Sequence, residues 1–364
     1  MNCFKDIKSE RMENVMKKVV FTTGGTGGHI YPAISIADKM REKNIDILFI
    51  GTEHRMEKDL VPKKNFRFIG LDVLPLNSPK SIIKMIIAIF RAISILKKEK
   101  PTEIIGFGNY ITIPVLTAAM VLRIPYYLQE QNSTMGMANR YFYKKAKKVF
   151  IAFGNTLDLI DQKYKSKFIT AGNPLREEFY TKNSEEERNR LGIKENEKVI
   201  LVMGGSLGAK SINDAIVKKW NDLLKEKNLK LFWATGKDNY EDVSGKLKDV
   251  GNNVVVPYFD NAANLMAASD LVMCRAGAST VSELIQMSKP SILIPYDFVG
   301  QKENADVLEF VNAAKIFSNE EADNAVEEAL SLIKQTDMLM FMKENIERLK
   351  KGNAAELIIK EMGL

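Results

Sequence analysis

The chain has only two cysteines and two histidines in 364 residues. Cys3 lies in the N-terminal tail and Cys274 deep in the chain. Neither a disulfide framework nor a cysteine-rich zinc site can be built from them, and a reducing compartment is expected. No apolar run is long enough for a membrane span. The longest, IIKMIIAIFRAISIL at residues 82–96, is interrupted by Lys84 and Arg91 and is too short to cross a bilayer. The opening MNCFKDIKSERMENVMKK is charged without an apolar core, unlike a secretion signal. Residues 1–16 read as a disordered extension, with Met16 a candidate start. A net charge of +7 suits nucleic acid, anionic lipid or phosphate-rich ligands alike. No dense Lys/Arg tract or aromatic RNA-binding signature accompanies it, so nucleic acid is not an expected partner.

What is present is a globular composition, with 45% hydrophobic and 27% charged residues, in a chain too long for one ordinary α/β core. Two domains follow. Short β-branched runs alternate with amphipathic helical stretches, as in parallel βαβ units. KKVVFTT, IDILFIG, TEIIGFG, PYYLQEQ, KVFIAF and KFITAG read as strands of the first half. A charged stretch, TKNSEEERNRLGIKENEK, leads into a second half with strands KVILVM, LKLFWATG, NVVVPYF, DLVMCRAG and PSILIPY. The pattern predicts a Rossmann-like domain over 17–175, another over 176–340, and a C-terminal helix over 341–364 that packs back on the first.

Each half opens with strand, glycine loop and helix. The loops are Gly24, Gly25, Thr26, Gly27, Gly28, His29 and Gly204, Gly205, Ser206, Leu207, Gly208. Without side chains, backbone N–H groups can approach an anion at the helix start. The first fits a dinucleotide fingerprint only loosely, with Glu53 a weak ribose partner. The second is a near miss to a P-loop, with Ala209 where the second glycine belongs. Glycines that merely let helix pack on strand are the competing explanation for either loop. Two such loops opening two halves favour a ligand held between facing domains, at the carboxyl ends of the strands. His29 stands at the mouth of the first loop, where a neutral imidazole can accept a proton near pH 7.

Seven motifs carry a resemblance. GGTGGHIYPA, GFGNYITIP, QEQNSTMGMANR, GNPLR, GGSLGA, CRAGASTVSE and GQKENA occur in order from Lys17 to about residue 310. In order and spacing they resemble the peptidoglycan N-acetylglucosaminyltransferases of glycosyltransferase family 28, which convert lipid I to lipid II. Three positions depart from the family pattern. Asn109 stands where a second glycine is usual, Gln129 where histidine is usual, and Gly300 where histidine often precedes Gln301.

The resemblance implies a GT-B architecture of two facing Rossmann-like domains. It implies inverting transfer from UDP-N-acetylglucosamine to the 4-hydroxyl of lipid-linked N-acetylmuramoyl-pentapeptide. His29 is the expected base, with Glu130 beside it as an orienting or acceptor-binding carboxylate. Thr26, Gly27, Gly28, His29, Asn132, Arg176, Ser206, Phe259, Glu283, Gln301 and Asn304 are expected around the UDP-sugar. Phe259 falls to the uracil, Glu283 to the ribose, and Gln301 and Asn304 to the sugar hydroxyls, since an amide both donates and accepts. Glu283 is expected in the first turn of a helix capped by Ser279 or Thr280. Tyr110, Glu130 and Asn132 are expected on the acceptor side. The chain lacks an Asp-x-Asp triplet, a common metal-holding motif in transferases. No metal or other cofactor is therefore expected to be required for donor binding, and helix N-termini and cations neutralise the diphosphate. Residues 80–98, helped by 140–148, are expected to dock on an anionic membrane surface at its cytoplasmic face. Another nucleotide-sugar enzyme of the same build, such as a 2-epimerase, is the alternative.

Overall fold

The computed structural model describes residues 17–205, 207–296 and 300–364. The proposed extension over 1–16 and the candidate ligand Ser206 lie outside the described residues. Two parallel sheets organise the chain. The first runs β3 (Arg67–Leu71), β2 (Asp46–Thr52), β1 (Lys18–Thr22), β4 (Glu103–Gly106), β5 (Tyr126–Glu130), β6 (Val149–Ile151), β7 (Phe168–Thr170). The second runs β10 (Val254–Val256), β9 (Leu229–Ala234), β8 (Lys198–Met203), β11 (Leu271–Cys274), β12 (Ser291–Leu293), β13 (Ala314–Ile316). In each sheet the order reverses beside the opening strand, between β1 and β4 and between β8 and β11. A parallel sheet opens a ligand crevice at such a switch point. Both glycine loops leave the chain there.

Alternate strand residues feed opposite faces. Val19 and Phe21 pack into one core layer with Ile105 and Tyr127, while Val20 packs into the other with Leu48 and Ile104. The second sheet divides likewise, Val199 and Leu201 from Ile200 and Val202. Burial on both faces explains why these strands read as continuous apolar runs rather than alternating ones. Two of the four edge strands, β3 and β13, are not legible as strands in the sequence, because RFIGL is only partly buried and AKI is three residues long with an exposed lysine.

The helix Thr336–Glu347 stays with the second sheet through Leu339, Met342 and Ile346. The chain then crosses back, and Asn353 caps the helix Ala354–Met362 by accepting from the N–H groups of Ala355 and Glu356 at 3.0 and 3.3 Å. Ala355, Ile358, Ile359 and Met362 join the core under the helix Gly27–Glu42. The return therefore begins after Glu347 rather than at residue 341.

The helix Pro79–Glu99 starts in a reciprocal Ser78–Ser81 capping box and buries Ser81, Met85, Ala88, Ala92 and Leu96 on one stripe. Its other face is bare. Ile83, Ile87 and Phe90 are 59%, 60% and 69% exposed, so this Ile-rich helix is not a buried core helix.

Candidate functional site

Two cavities meet near the first glycine loop. One, of about 560 Å³, lies between the domains and is lined by Thr26, Tyr31, Arg176, Gly204, Gly205, Phe259, Arg275, Glu283 and Gln301, among others. The other, of about 710 Å³, opens in the first domain and is lined by His29, Leu76, Asn109, Tyr110, Glu130, Asn132, Met137 and Tyr141 with neighbours. A side chain built on Gly28 would come within 3.9 Å of Ser279 Oγ, so the first loop faces the second domain directly.

His29 is the third residue of the helix Gly27–Glu42. Its Nδ1 lies 2.9 Å from the carbonyl oxygen of Phe107. A carbonyl only accepts, so Nδ1 carries the hydrogen and a neutral ring presents a bare Nε2. Phe107 follows β4, the strand beside β1 at the switch point, and its oxygen also accepts from Gln131 Nε2 at 3.2 Å.

Glu130 ends β5 and is buried. Its carboxylate accepts from Asn132 N at 3.1 Å, Gly136 N at 3.0 Å and Asn139 Nδ2 at 2.9 Å. These bonds fold the loop that walls the first-domain cavity. The group that orients His29 is the Phe107 carbonyl, so of the two roles left open for Glu130, orienting His29 or binding the acceptor, the first is already filled.

In the cleft between the domains, Glu283 lies in the second turn of the helix Ala278–Met287. That helix begins at Gly277 without a side-chain cap, so neither Ser279 nor Thr280 caps it. Burial pushes the Glu283 carboxyl up to about 7, opposed by the charge of Arg176. Arg176 pairs with Glu178 at 2.8 Å and lies over the rings of Tyr31 and Phe179. It is thus both ion-paired and a wall of the cleft. Phe259 also serves two places, edge-on to Phe232 in the core and at the cleft surface. Gly208 sits where the backbones of the second loop and the β9 loop nearly touch: a Cβ there would meet Thr235 O at 2.0 Å.

Two expected donor ligands sit elsewhere. Asn304 is fully buried and spans the domain junction, accepting from Ser133 N at 2.8 Å and donating to Asn132 Oδ1 and Ala276 O, both at 3.3 Å. The same donor–acceptor pair that suits sugar hydroxyls suits two backbones. Asn132 lines the first-domain cavity. Gln301 does line the cleft, its Oε1 accepting from Tyr296 N at 3.1 Å.

Arg275 went unnoticed in the sequence. It directly follows β11, is buried, and donates to Ile294 O at 2.8 Å, Asn319 Oδ1 at 2.7 Å and Ser211 Oγ at 3.0 Å, with its guanidinium 4.0 Å from the centre of the Tyr296 ring. An arginine at the carboxyl end of a parallel strand, just before a helix, was the available signal. Among the described residues one group, Glu53, His54 and Asp72, brings three potential metal ligands together. It is on the surface, and Asp72 already holds the Lys84 ammonium at 2.7 Å.

Two doubly wound α/β domains, each presenting a glycine loop to a shared cleft, define a GT-B enzyme. Models of the glycosyltransferase family 28 N-terminal and C-terminal domains match residues 19–151 and 199–362. The chain belongs to glycosyltransferase family 28. It is 48% identical to the UDP-N-acetylglucosamine--N-acetylmuramyl-(pentapeptide) pyrophosphoryl-undecaprenol N-acetylglucosamine transferase of Fusobacterium nucleatum, over 96% of this chain and 98% of that one. The enzyme of the same name from Halalkalibacterium halodurans is 34% identical over 95% and 99%. The crystal structure of Acinetobacter baumannii MurG superposes with a TM-score of 0.79 at 25% identity, covering 95% of this chain and 99% of that one. A Neisseria meningitidis UDP-GlcNAc 2-epimerase shares the fold, with a TM-score of 0.67 at 18% identity, covering 95% and 99%.

Proposed function

We propose that this enzyme transfers N-acetylglucosamine from UDP-N-acetylglucosamine to the 4-hydroxyl of undecaprenyl-diphospho-N-acetylmuramoyl-pentapeptide, with inversion, at the cytoplasmic face of the membrane. The observation that carries this reading is His29, with its tautomer set by Phe107 and its ring lining a first-domain cavity whose lining is separate from that of the cleft between the domains. Nε2 takes the proton of the acceptor hydroxyl as that oxygen bonds to the sugar's anomeric carbon. The bond from that carbon to the UDP oxygen breaks on the opposite face. Charge on departing UDP is met by the N–H groups of the second glycine loop, the start of the helix Lys210–Lys218, Arg176 and Arg275. Phe259 packs on the uracil, Glu283 holds the ribose, and Gln301 reads the sugar. Tyr110, Asn132 and the loop folded on Glu130 receive the acceptor. The test is a transfer assay with UDP-N-acetylglucosamine and a lipid I analogue. Formation of the disaccharide product supports the reading, and epimerisation of the donor instead would replace it.

Helix ends and fixed cations make a divalent ion unnecessary for holding UDP. UDP is therefore expected to bind equally well before and after chelation. Loss of UDP binding on chelation, measured by calorimetry, would overturn the metal-free reading.

The acceptor's polyprenyl chain stays in the bilayer, so catalysis must take place at its surface. Among the described residues no helix is long and apolar enough to cross a membrane. The helix Pro79–Glu99 instead presents Ile82, Ile83, Ile86, Ile87 and Phe90 outward, flanked by exposed Lys80, Arg91, Lys97 and Lys98. Lys84, also expected to meet lipid, is tied to Asp72. Leu76, just ahead of the helix, reaches the acceptor-side cavity, so the docking face and the acceptor pocket adjoin. An apolar face ringed by cations suits an anionic interface. Serine at Ile83, Ile87 or Phe90 is expected to weaken binding to anionic vesicles while the melting temperature holds, because these side chains are already exposed. A large fall in melting temperature with unchanged vesicle binding would place the membrane face elsewhere.

A further inference from the structure

The first glycine loop is gripped at a single peptide unit from two directions. The carbonyl of Gly24 accepts from Asn109 Nδ2, and the N–H of Gly25 donates to Glu57 Oε2 at 3.0 Å. These are the two polar groups of one peptide bond. Each partner is itself anchored. Glu57 is fully buried, and its other oxygen accepts from Thr52 N at 3.0 Å at the end of β2. Asn109 Oδ1 accepts from Ile111 N at 2.8 Å. The fit is close, since a Cβ on Gly24 would lie 2.2 Å from Glu57 Oε1 and one on Gly25 would lie 3.3 Å from Asn109 Nδ2.

Asn109 holds this position against its own backbone preference. Its φ is 58° and ψ 177°, a region almost reserved for glycine and occupied by other residues only where surroundings enforce it. The strain is offset by two side-chain bonds that glycine could not make. The same short loop holds His29, because Phe107, two residues before Asn109, accepts from Nδ1. The loop after β4 therefore fastens the loop after β1 at two points, Gly24 and His29, while Thr23 Oγ1 donates to His29 O at 2.8 Å from within.

We propose that Asn109 and Glu57 are positioning residues for His29: together they clamp the Gly24–Gly25 peptide and so hold the imidazole in one tautomer at one place in the acceptor cavity. This rests on His29 being the base of the proposed transfer. A flip of the clamped peptide would turn its carbonyl and N–H away from both partners, so the clamp makes the loop rigid.

The decisive variant is Asn109→Asp. It retains the acceptor for Ile111 N but turns an oxygen, rather than an N–H, toward Gly24 O. Glu57→Gln is its counterpart, since an amide has one oxygen for two N–H donors. The chain has two histidines, so imidazole ¹⁵N NMR resolves His29 from His54, with His54→Ala assigning the signals. The wild type is expected to show one tautomer at His29, protonated on Nδ1. Asn109→Asp is expected to show a mixture, with His54 unmoved. In transfer assays kcat should fall about tenfold, on the scale of losing a charge-free hydrogen bond and its geometry, with the donor dissociation constant unchanged. Asn109→Gly removes the clamp while relieving the backbone, and is expected to lower kcat at an equal or higher melting temperature, which separates positioning from folding. An unchanged His29 signal together with an unchanged kcat in either folded Asn109 variant overturns the proposal. So does a fall in kcat that brings donor affinity and melting temperature down with it. If the wild type transfers no sugar while the variants still disturb His29, the clamp stands and the proposed reaction falls.

Discussion

Replacing His29 by alanine is expected to lower kcat by about 10²–10⁴-fold, the usual effect of removing a positioned general base, while UDP-N-acetylglucosamine still binds. The separation of effects follows from the geometry. The imidazole lines the first-domain cavity with Tyr110 and Asn132, while Arg176, Phe259, Glu283 and Gln301 line the cleft between the domains. The contacts proposed for the donor are therefore expected to remain when the base is lost. Among the described residues the only polar contact of the His29 ring is with the Phe107 carbonyl, which Gln131 Nε2 also serves, so the carbonyl is not orphaned and folding should survive. Single-turnover rates beside donor titrations make the measurement. A folded variant turning over near the wild-type rate would remove His29 from the mechanism.

Glu283→Ala is expected to act on donor affinity. Two ribose hydroxyls donating to one carboxylate contribute about 1.5–3 kcal/mol each, so the dissociation constant should rise by at least about a hundredfold, with smaller effects on kcat at saturation. The pH dependence gives a sharper test. Burial holds this carboxyl near 7 in the empty protein, and only its ionised form can accept from both hydroxyls. Donor binding must then expel a proton below that pH. Affinity should improve about tenfold per unit as pH rises toward 7 and level off above it. The UDP-sugar diphosphate stays ionised throughout, so it does not mask the trend. For the empty protein the sign is opposite. The folded state favours the protonated acid, so this group's contribution to stability is complete below the ordinary value of 4.5 and is lost as pH rises through about 7. The melting-temperature gain on adding donor should accordingly grow between pH 6 and 8. In Glu283→Gln both trends should flatten. An unchanged dissociation constant in Glu283→Ala, or a pH slope that persists in Glu283→Gln, would take the ribose away from this residue.

The sequence by itself determined a great deal here. Continuous apolar strands alternating with helices forced a doubly wound parallel build, because both faces of such strands must be covered. A glycine loop opening each half located both halves of the cleft, since backbone rather than side chain makes that contact. The apolar stripe at 82–96, broken by Lys84 and Arg91, announced a helix with an outward face. What the chain order could not express were contacts between elements far apart in it. Nothing in the chain order marks Glu57 until the ends of β2 and β1 meet over it, with glycine at 24 leaving it room. Asn304 looked like a sugar ligand until the two domains closed on it, because an amide's donor and acceptor are indifferent to whether a hydroxyl or a peptide meets them. Arg275 and Glu130 were decided in the same way, by which polar groups the sheets' switch points and loops placed within 3 Å or so of a buried charge. Local pattern governs what a segment becomes, since propensity and periodicity act over a few residues. Which side chain is spent on structure and which is left to face substrate is settled only when distant strands lie side by side, because a buried polar group must bond whatever the fold brings to it.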